Sequence, residues 1–195
     1  KIEDDIVRTD KFSKKTIDVL SIFPSVLTQI YITLLSKEGD KCYDPFCGHN
    51  SRAEDVLSLG RKYYGYDIHT FPVEMTKSAC AGFVANDYEV NLGSSEKVKY
   101  ENESMDFSIT CPPYYDVEDY SKVYQENKAE DLSGKNYNDF LWSYQKCLGE
   151  VYRVLKKGSY FVCVVGDSHR GGTYRSLMLD TIKICKIHNF QLHAI

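Results

Sequence analysis

Paired cysteine spacings are missing from this chain: its seven cysteines, at 42, 47, 80, 111, 147, 163 and 185, contain no CxxC. That removes sequence support for a disulfide framework or a zinc ribbon, and free thiols in a reducing cytosol are the expectation. The histidines at 69, 169, 188 and 193 show no ligand spacing, so no metal is assigned. No signal peptide and no apolar run of membrane-spanning length occurs, which predicts no membrane span and a cytoplasmic location. Excess positive charge is missing too, since 24 Lys and Arg stand against 28 Asp and Glu, for a net charge of −4. A protein that coats polyanions through a global basic field is excluded, and any nucleic-acid contact must come from local patches or from sequence outside this chain. What is present, 43% hydrophobic and 27% charged residues over 195 positions, suits one globular domain with a sizeable core.

The hydrophobic pattern alternates between strand and helix signals. Residues 1–22 read as a lead-in segment. After Pro24, which suits a first helical turn, Val26, Leu27, Ile30, Leu34 and Leu35 recur at helical spacing. Lys41–Asp44 reads as a strand, Pro45–Asn50 as a tight loop, and Ser51 as the N-cap of a helix that ends at Leu59 before Gly60. Lys62–Asp67 is a second strand and Phe71–Val84 a second helix. A strand, glycine loop, helix and strand make a βαβ unit, hence a mostly parallel sheet with right-handed crossovers. Short strands are expected near Val90–Leu92 and at 97–100, then at Met105–Thr110. The polar, acidic stretch 116–135 reads as a long mobile loop. An amphipathic helix follows from Asn138 to Leu155, with Trp142 in its core face. Tyr160–Val165 is a strand buried on both faces, 166–172 a polar loop, Tyr174–His188 a helix, and Phe190–Ile195 a last strand. The chain starts at Lys1 rather than Met and stops on a strand without a partner, so a fragment of something longer, truncated at its last strands, is expected.

Two places carry chemistry. The loop after the first strand lies at a carboxyl strand end, where open α/β sheets bind ligands and where backbone N–H groups can meet a polar group. Asp67 ends the second strand at the spacing after Gly48 that lets a carboxylate take both hydroxyls of a ribose, which points to an adenosine-containing cofactor. An Asp there also serves as a helix cap or a solvated carboxylate. The second place is Ile109-Thr-Cys-Pro-Pro-Tyr-Tyr115, a strand running into two prolines with rings just beyond. Prolines lack N–H groups and fix φ, so carbonyls at this corner are rigidly placed beside a flat stacking surface. A flipped nucleobase needs both an acceptor for its amino group and an aromatic face. The alternative is a Pro-Pro turn with a core tyrosine.

Taken together, Asp44-Pro-Phe-Cys-Gly48, Tyr66-Asp67 and Thr110-Cys-Pro-Pro-Tyr-Tyr115 resemble the motifs of amino-methylating DNA methyltransferases. The closest likeness is to the DNA-methylase domains of phages and bacteria with DPFxGxxxR and (S/T)CPPY. Residues 44–52 fit the first of these, and Asp131-Leu-Ser133, Arg153–Gly158, Val165–Asp167 and Asp180–Ile182 match further pieces. The resemblance runs over residues 23–195, which makes them the catalytic domain. It implies a Rossmann-like, doubly wound, mostly parallel α/β sheet and transfer of a methyl group from S-adenosyl-L-methionine to the amino nitrogen of a flipped cytosine (N4) or adenine (N6) in DNA.

By that likeness Asp44, Pro45, Cys47 and Gly48 line the methionine end of the cofactor, with Phe23 flanking it and Asp67 on the ribose. Ser94 lies near the adenine, and Thr110 completes the cofactor set. At the corner the Pro112 carbonyl and the Cys111 position accept the amino protons, Pro113 stiffens the turn, and Tyr114 stacks on the base. Cysteine stands where Asp, Asn or Ser is usual, and a thiol is a poor acceptor. A target-recognition region is expected after Ile195 or in another chain, and the partners expected besides DNA are a companion recognition domain or a second copy in a homodimer. An RNA or small-molecule amino-methyltransferase, and a catalytically inactive cofactor- or nucleic-acid-binding subunit, are the rival readings. Arg52, Arg170 and Arg175 read as surface residues that could reach phosphates, and Tyr63, Tyr64 and Tyr66 as packing.

Overall fold

The computed structural model describes residues 23–48, 52–115, 117, 119–126 and 129–195. The lead-in 1–22, the loop positions His49 and Asn50 and the expected cap Ser51 lie outside the described residues. The elements run α1 (Ser25–Leu35), β1 (Lys41–Asp44), α2 (Arg52–Ser58), β2 (Lys62–Asp67), α3 (Thr70–Cys80), β3 (Tyr88–Leu92) and β4 (Met105–Thr110). They continue with α4 (Tyr120–Tyr124), α5 (Tyr137–Val154), β5 (Leu155–Cys163), β6 (Ser168–Arg170), β7 (Thr173–Arg175) and α6 (Leu177–Ile187). Five strands form one sheet in the order β3-β2-β1-β4-β5, and every neighbouring pair is parallel. The expected doubly wound α/β architecture is therefore observed.

Period two along the strands separates two cores. In β1, Cys42 faces one side and Tyr43 the other. Cys42, Tyr63, Phe107 and Ile109 pack with Ile32 of α1, Val56 of α2 and Val73 of α3. Tyr43 and Tyr66 pack with Phe140, Tyr144, Leu148 and Val151 of α5 and Leu177 of α6. Helices thus cover both faces of a central sheet, which is why the β1 run KCYD can be buried in three of its four residues. Strand order turns outward in both directions from β1 and β4, leaving a crevice above their carboxyl ends.

Several sequence expectations need correction. Pro24 is the N-cap of α1 rather than a first-turn residue. The 97–100 stretch forms no strand, since the backbone there is taken up by side chains: Glu150 accepts from the Val98 N–H and Tyr66 Oη from that of Lys99. Part of the expected 116–135 loop is the short helix α4, capped by the Asp119 carboxylate. The polar loop 166–172 is largely a two-stranded antiparallel hairpin, β6 with β7, so Tyr174 is in a strand and the last helix starts only after Ser176 caps it.

β5 is not buried on both faces: among the described residues it pairs with β4 alone, at the edge of the sheet, and Tyr160 is 39% exposed. Phe190–Ile195 is not a strand. Asn189 turns the chain at φ 64°, and Phe190 packs its ring on Phe161 and Tyr152 instead of entering a ladder. Trp142 is on the solvent side of α5, 62% exposed, with the Lys146 ammonium over its ring.

Candidate functional site

The carboxyl ends of β1, β2 and β4 open onto one cavity of about 350 Å³. The β1 loop supplies Pro45, Phe46 and Gly48, the end of β2 supplies Asp67 and His69, and the turn after β3 supplies Gly93 and Ser94. The corner after β4 supplies Cys111, Pro112, Pro113 and Tyr114, while Phe23 and Leu27 enter from the start of α1. Residues of the β1 loop and of the proline corner, which are far apart in sequence, therefore face the same space.

Asp44, Cys47 and Thr110 lie behind this wall rather than on it. The Asp44 carboxylate is fully buried and collects four donors: Arg52 Nε at 2.7 Å, the Thr110 hydroxyl at 2.7 Å, the Tyr63 hydroxyl at 3.1 Å and the Phe46 N–H at 3.2 Å. Arg52 also donates to the carbonyls of Phe46, at 2.6 Å, and Cys47, at 3.2 Å. Its guanidinium carbon lies 5.2 Å from the centre of the Phe23 ring. Arg52 is thus an internal strut, 3% exposed, and not the surface residue its charge suggested. The only sequence signal for this was its place at the end of the DPFxGxxxR pattern. Cys47 is enclosed, and burial pushes its thiol well above the ordinary range.

Gly48 sits at φ 59°, a region open to glycine and costly for most side chains. Its N–H donates to Asp67 Oδ2 at 3.1 Å, and the Thr76 hydroxyl donates to its carbonyl at 2.9 Å. The other Asp67 oxygen accepts the His69 N–H at 3.0 Å. One carboxylate therefore joins the ends of β1 and β2 at the cavity wall. Burial raises its pKa to about 6, with the two N–H donors and the His69 charge opposing.

At the corner, Pro112 is buried, and the Cys111 thiol and Tyr114 hydroxyl are in contact at 3.1 Å. The Tyr114 ring lies near Gly166 at the entrance to the β6–β7 hairpin. Just outside, the Arg175 guanidinium carbon lies 5.0 and 5.4 Å from the centres of the Tyr115 and Tyr137 rings, which meet edge to face.

Sequence reasoning did not assign the far wall, which comes from Tyr120, Tyr124, Glu130, Asp131 and Leu132; of these it noted Asp131 and Leu132 only as part of a family match. His69 faces it, with Nε2 3.1 Å from Asp131 Oδ2 and Nδ1 3.5 Å from Glu126 Oε2. Burial would lower the His69 pKa, but the Asp131 hydrogen bond and the charges of Asp67, Asp131 and Glu126 outweigh it and raise it. The Asp131 carboxyl moves oppositely: burial would raise it, and the bonds from His69 and Ser133 bring it down. Searching for metal spacings passes over such a histidine, because its partners lie more than fifty residues away. Among the described residues no group of His, Cys, Asp and Glu could hold a metal ion.

A family model described as DNA methylase matches residues 10–78, which covers the β1 loop and Asp67 and ends before the proline corner. A tRNA (guanine(10)-N2)-dimethyltransferase of Methanothermobacter thermautotrophicus is 29% identical over 114 residues, 58% of this chain and 31% of that protein. The orphan methyltransferase M.BamHII of Bacillus amyloliquefaciens is 29% identical over 91 residues, 46% of this chain and 28% of that protein. The chain thus spans less than a third of the length of either relative. Among solved structures, the geranyl diphosphate C-methyltransferase of Streptomyces coelicolor, in complex with S-adenosyl-L-homocysteine, superposes with a TM-score of 0.52 at 15% identity. The superposition covers 80% of this chain and 52% of that one. The chain carries the match to the DNA methylase family over residues 10–78, on the fold of the S-adenosylmethionine-dependent methyltransferases.

Proposed function

We propose that this chain binds S-adenosyl-L-methionine and methylates the exocyclic amino nitrogen of a nucleobase extruded from DNA, either cytosine N4 or adenine N6. The observation that carries this reading is the shared cavity: Gly48 and Asp67 line one part of it and Cys111–Tyr114 another. Its volume suits a cofactor-sized ligand, and its lining is mostly apolar with a few carboxylates, Asp67 on one side and Glu130 and Asp131 on the other. Asp67 holds both ribose hydroxyls, Phe23 and Pro45 pack on the cofactor, and Ser94 takes its adenine end. When bound, the cofactor supplies an electrophilic methyl group on a sulfonium.

The protein's work lies on the acceptor side. The Pro112 carbonyl and the Cys111 position accept the amine protons, which draws the nitrogen lone pair out of conjugation with the base. Tyr114 replaces the stacking lost on extrusion, and the rigid prolines hold the amine in place. No general base is required, since the amine releases its proton once the nitrogen has become cationic. A thiol is a weak acceptor, so Pro112 carries most of this polarisation.

RNA is the second reading, favoured by the likeness to a tRNA methyltransferase that also modifies an amino group. Incubation with labelled S-adenosylmethionine and either duplex DNA or structured RNA, followed by nucleoside mass spectrometry, distinguishes them. N4-methylcytosine or N6-methyladenine in DNA is the expected product. Label in RNA alone transfers the reading to RNA, and cofactor binding without label in any nucleic acid removes the catalytic assignment.

A further inference from the structure

His69 is 3% exposed and has a carboxylate facing each ring nitrogen: Asp131 at 3.1 Å from Nε2 and Glu126 at 3.5 Å from Nδ1. A neutral imidazole donates from one nitrogen and leaves a lone pair on the other, which here would point at an anion in a buried setting. The imidazolium alone satisfies both sides. Nδ1 has no hydrogen-bond partner at full strength, so its interaction with Glu126 depends on charge. Neighbouring contacts converge on the same ring. Tyr124 lies 4.8 Å from it and 5.6 Å from Phe71, and Glu126 accepts the Thr70 N–H at the start of α3. The backbone N–H of His69 is in turn held by Asp67. One side chain therefore connects the strand end that carries Asp67 to the wall built from Tyr124, Asp131 and Leu132.

We propose that protonated His69, clamped between Asp131 and Glu126, is a positioning residue that fixes this wall against the Asp67 end of the cavity, so that cofactor affinity depends on its proton. The binding part of this inference rests on the reading of the cavity as a cofactor site, whereas the clamp itself does not. The groups facing His69 are Asp67 from β2, the Tyr124 ring from α4, and Glu126 and Asp131 from the segment that follows; among these the histidine is the cation.

Two groups then shape the pH dependence in opposite senses. Asp67, with a pKa of about 6, loses its charge and its value as a ribose acceptor as pH falls. His69 loses its proton as pH rises through its raised pKa, leaving a lone pair against a carboxylate. Affinity for S-adenosylmethionine, measured by titration calorimetry between about pH 5 and 9, is expected to be bell-shaped. On the alkaline side it should weaken roughly tenfold, the scale of one charge-assisted hydrogen bond lost.

His69→Gln should abolish the alkaline limb and keep the acid limb, moved to higher pH because the cation beside Asp67 is gone. Asp131→Asn should keep both limbs and bring the alkaline one to lower pH. A wild-type affinity flat on the alkaline side, or an alkaline limb unchanged in His69→Gln, overturns the proposal. If no cofactor binds at any pH, the cofactor reading fails, and the clamp is judged from amide protection factors across 119–135 in the ligand-free protein. These should drop above the His69 titration, followed by NMR of its ring, and in His69→Gln; protection independent of both overturns the clamp as well.

Discussion

Replacing Arg52 with methionine removes the cation from an enclosed ion pair whose side chains are 4% and 0% exposed. The Asp44 carboxylate would keep three neutral donors, from Thr110, Tyr63 and Phe46, but no counter-charge. Removing one partner of a buried pair costs about 3–5 kcal/mol, mostly the penalty of the stranded charge. The lost bonds to the Phe46 and Cys47 carbonyls act on the same loop, so they belong within that figure and are not added to it. For a domain of this size, about 2–4 °C in Tm per kcal/mol gives a drop of roughly 6–20 °C. Urea denaturation and calorimetry would measure it. Asp44→Asn combined with Arg52→Met removes the stranded anion, and the pair should lose clearly less than the sum of the two single variants. A single-variant cost below about 1 kcal/mol, the range of a surface pair, would refute the view that this strut holds the β1 loop.

Three further outcomes are expected. Asp67 has its pKa raised from 3.8 to about 6, so its folded form favours the neutral carboxyl; the associated stability is full at low pH and lost as pH rises through about 6. Asp67→Asn has no such group and should gain stability relative to wild type between those two values, seen as diverging urea midpoints, and parallel midpoints would contradict the assignment. Asp67→Ala should weaken cofactor binding in calorimetry, whereas Tyr114→Ala should leave it intact and lose turnover; equal loss of binding in both would undo the division of roles. Gly65→Ala would place a Cβ 2.8 Å from the Tyr63 ring and 3.0 Å from Cys47 Cβ, and a destabilisation of about 1–3 kcal/mol is expected from such overpacking, with no change in denaturation midpoint as the contrary result.

What could be read from the sequence was what depends on local periodicity and backbone chemistry. Lys62–Asp67 and Met105–Thr110 were read as strands, and both are strands in the buried interior of a parallel sheet, where short apolar and aromatic runs mark strands without help from distant partners. The proline corner was legible because the covalent ring, and not a tertiary partner, restricts it. Misreadings share a different cause. Phe190–Ile195 has strand composition, but whether a ladder forms depends on a neighbour that local sequence does not specify. Trp142 lies in an amphipathic helix, yet its azimuth puts it beside Lys146 in solvent. Arg52 and His69 carry charge or partial charge and were read as exposed or idle, because their partners Asp44 and Asp131 become neighbours only after the sheet is assembled.

Within the motifs, three residues differ in kind from those that face the cavity. Asp44, Cys47 and Thr110 are enclosed and build the floor: the carboxylate ties β1 to β4 through Thr110 and to the loop through Arg52. Such an arrangement constrains the scaffold, whatever molecule sits above it. The far wall around Tyr120 and Tyr124 and the rim at Arg175 are built instead by residues outside the recognised motifs. The likeness reaches the orphan methyltransferase M.BamHII and a tRNA (guanine(10)-N2)-dimethyltransferase at the same 29% identity, so it weighs no more toward one than toward the other.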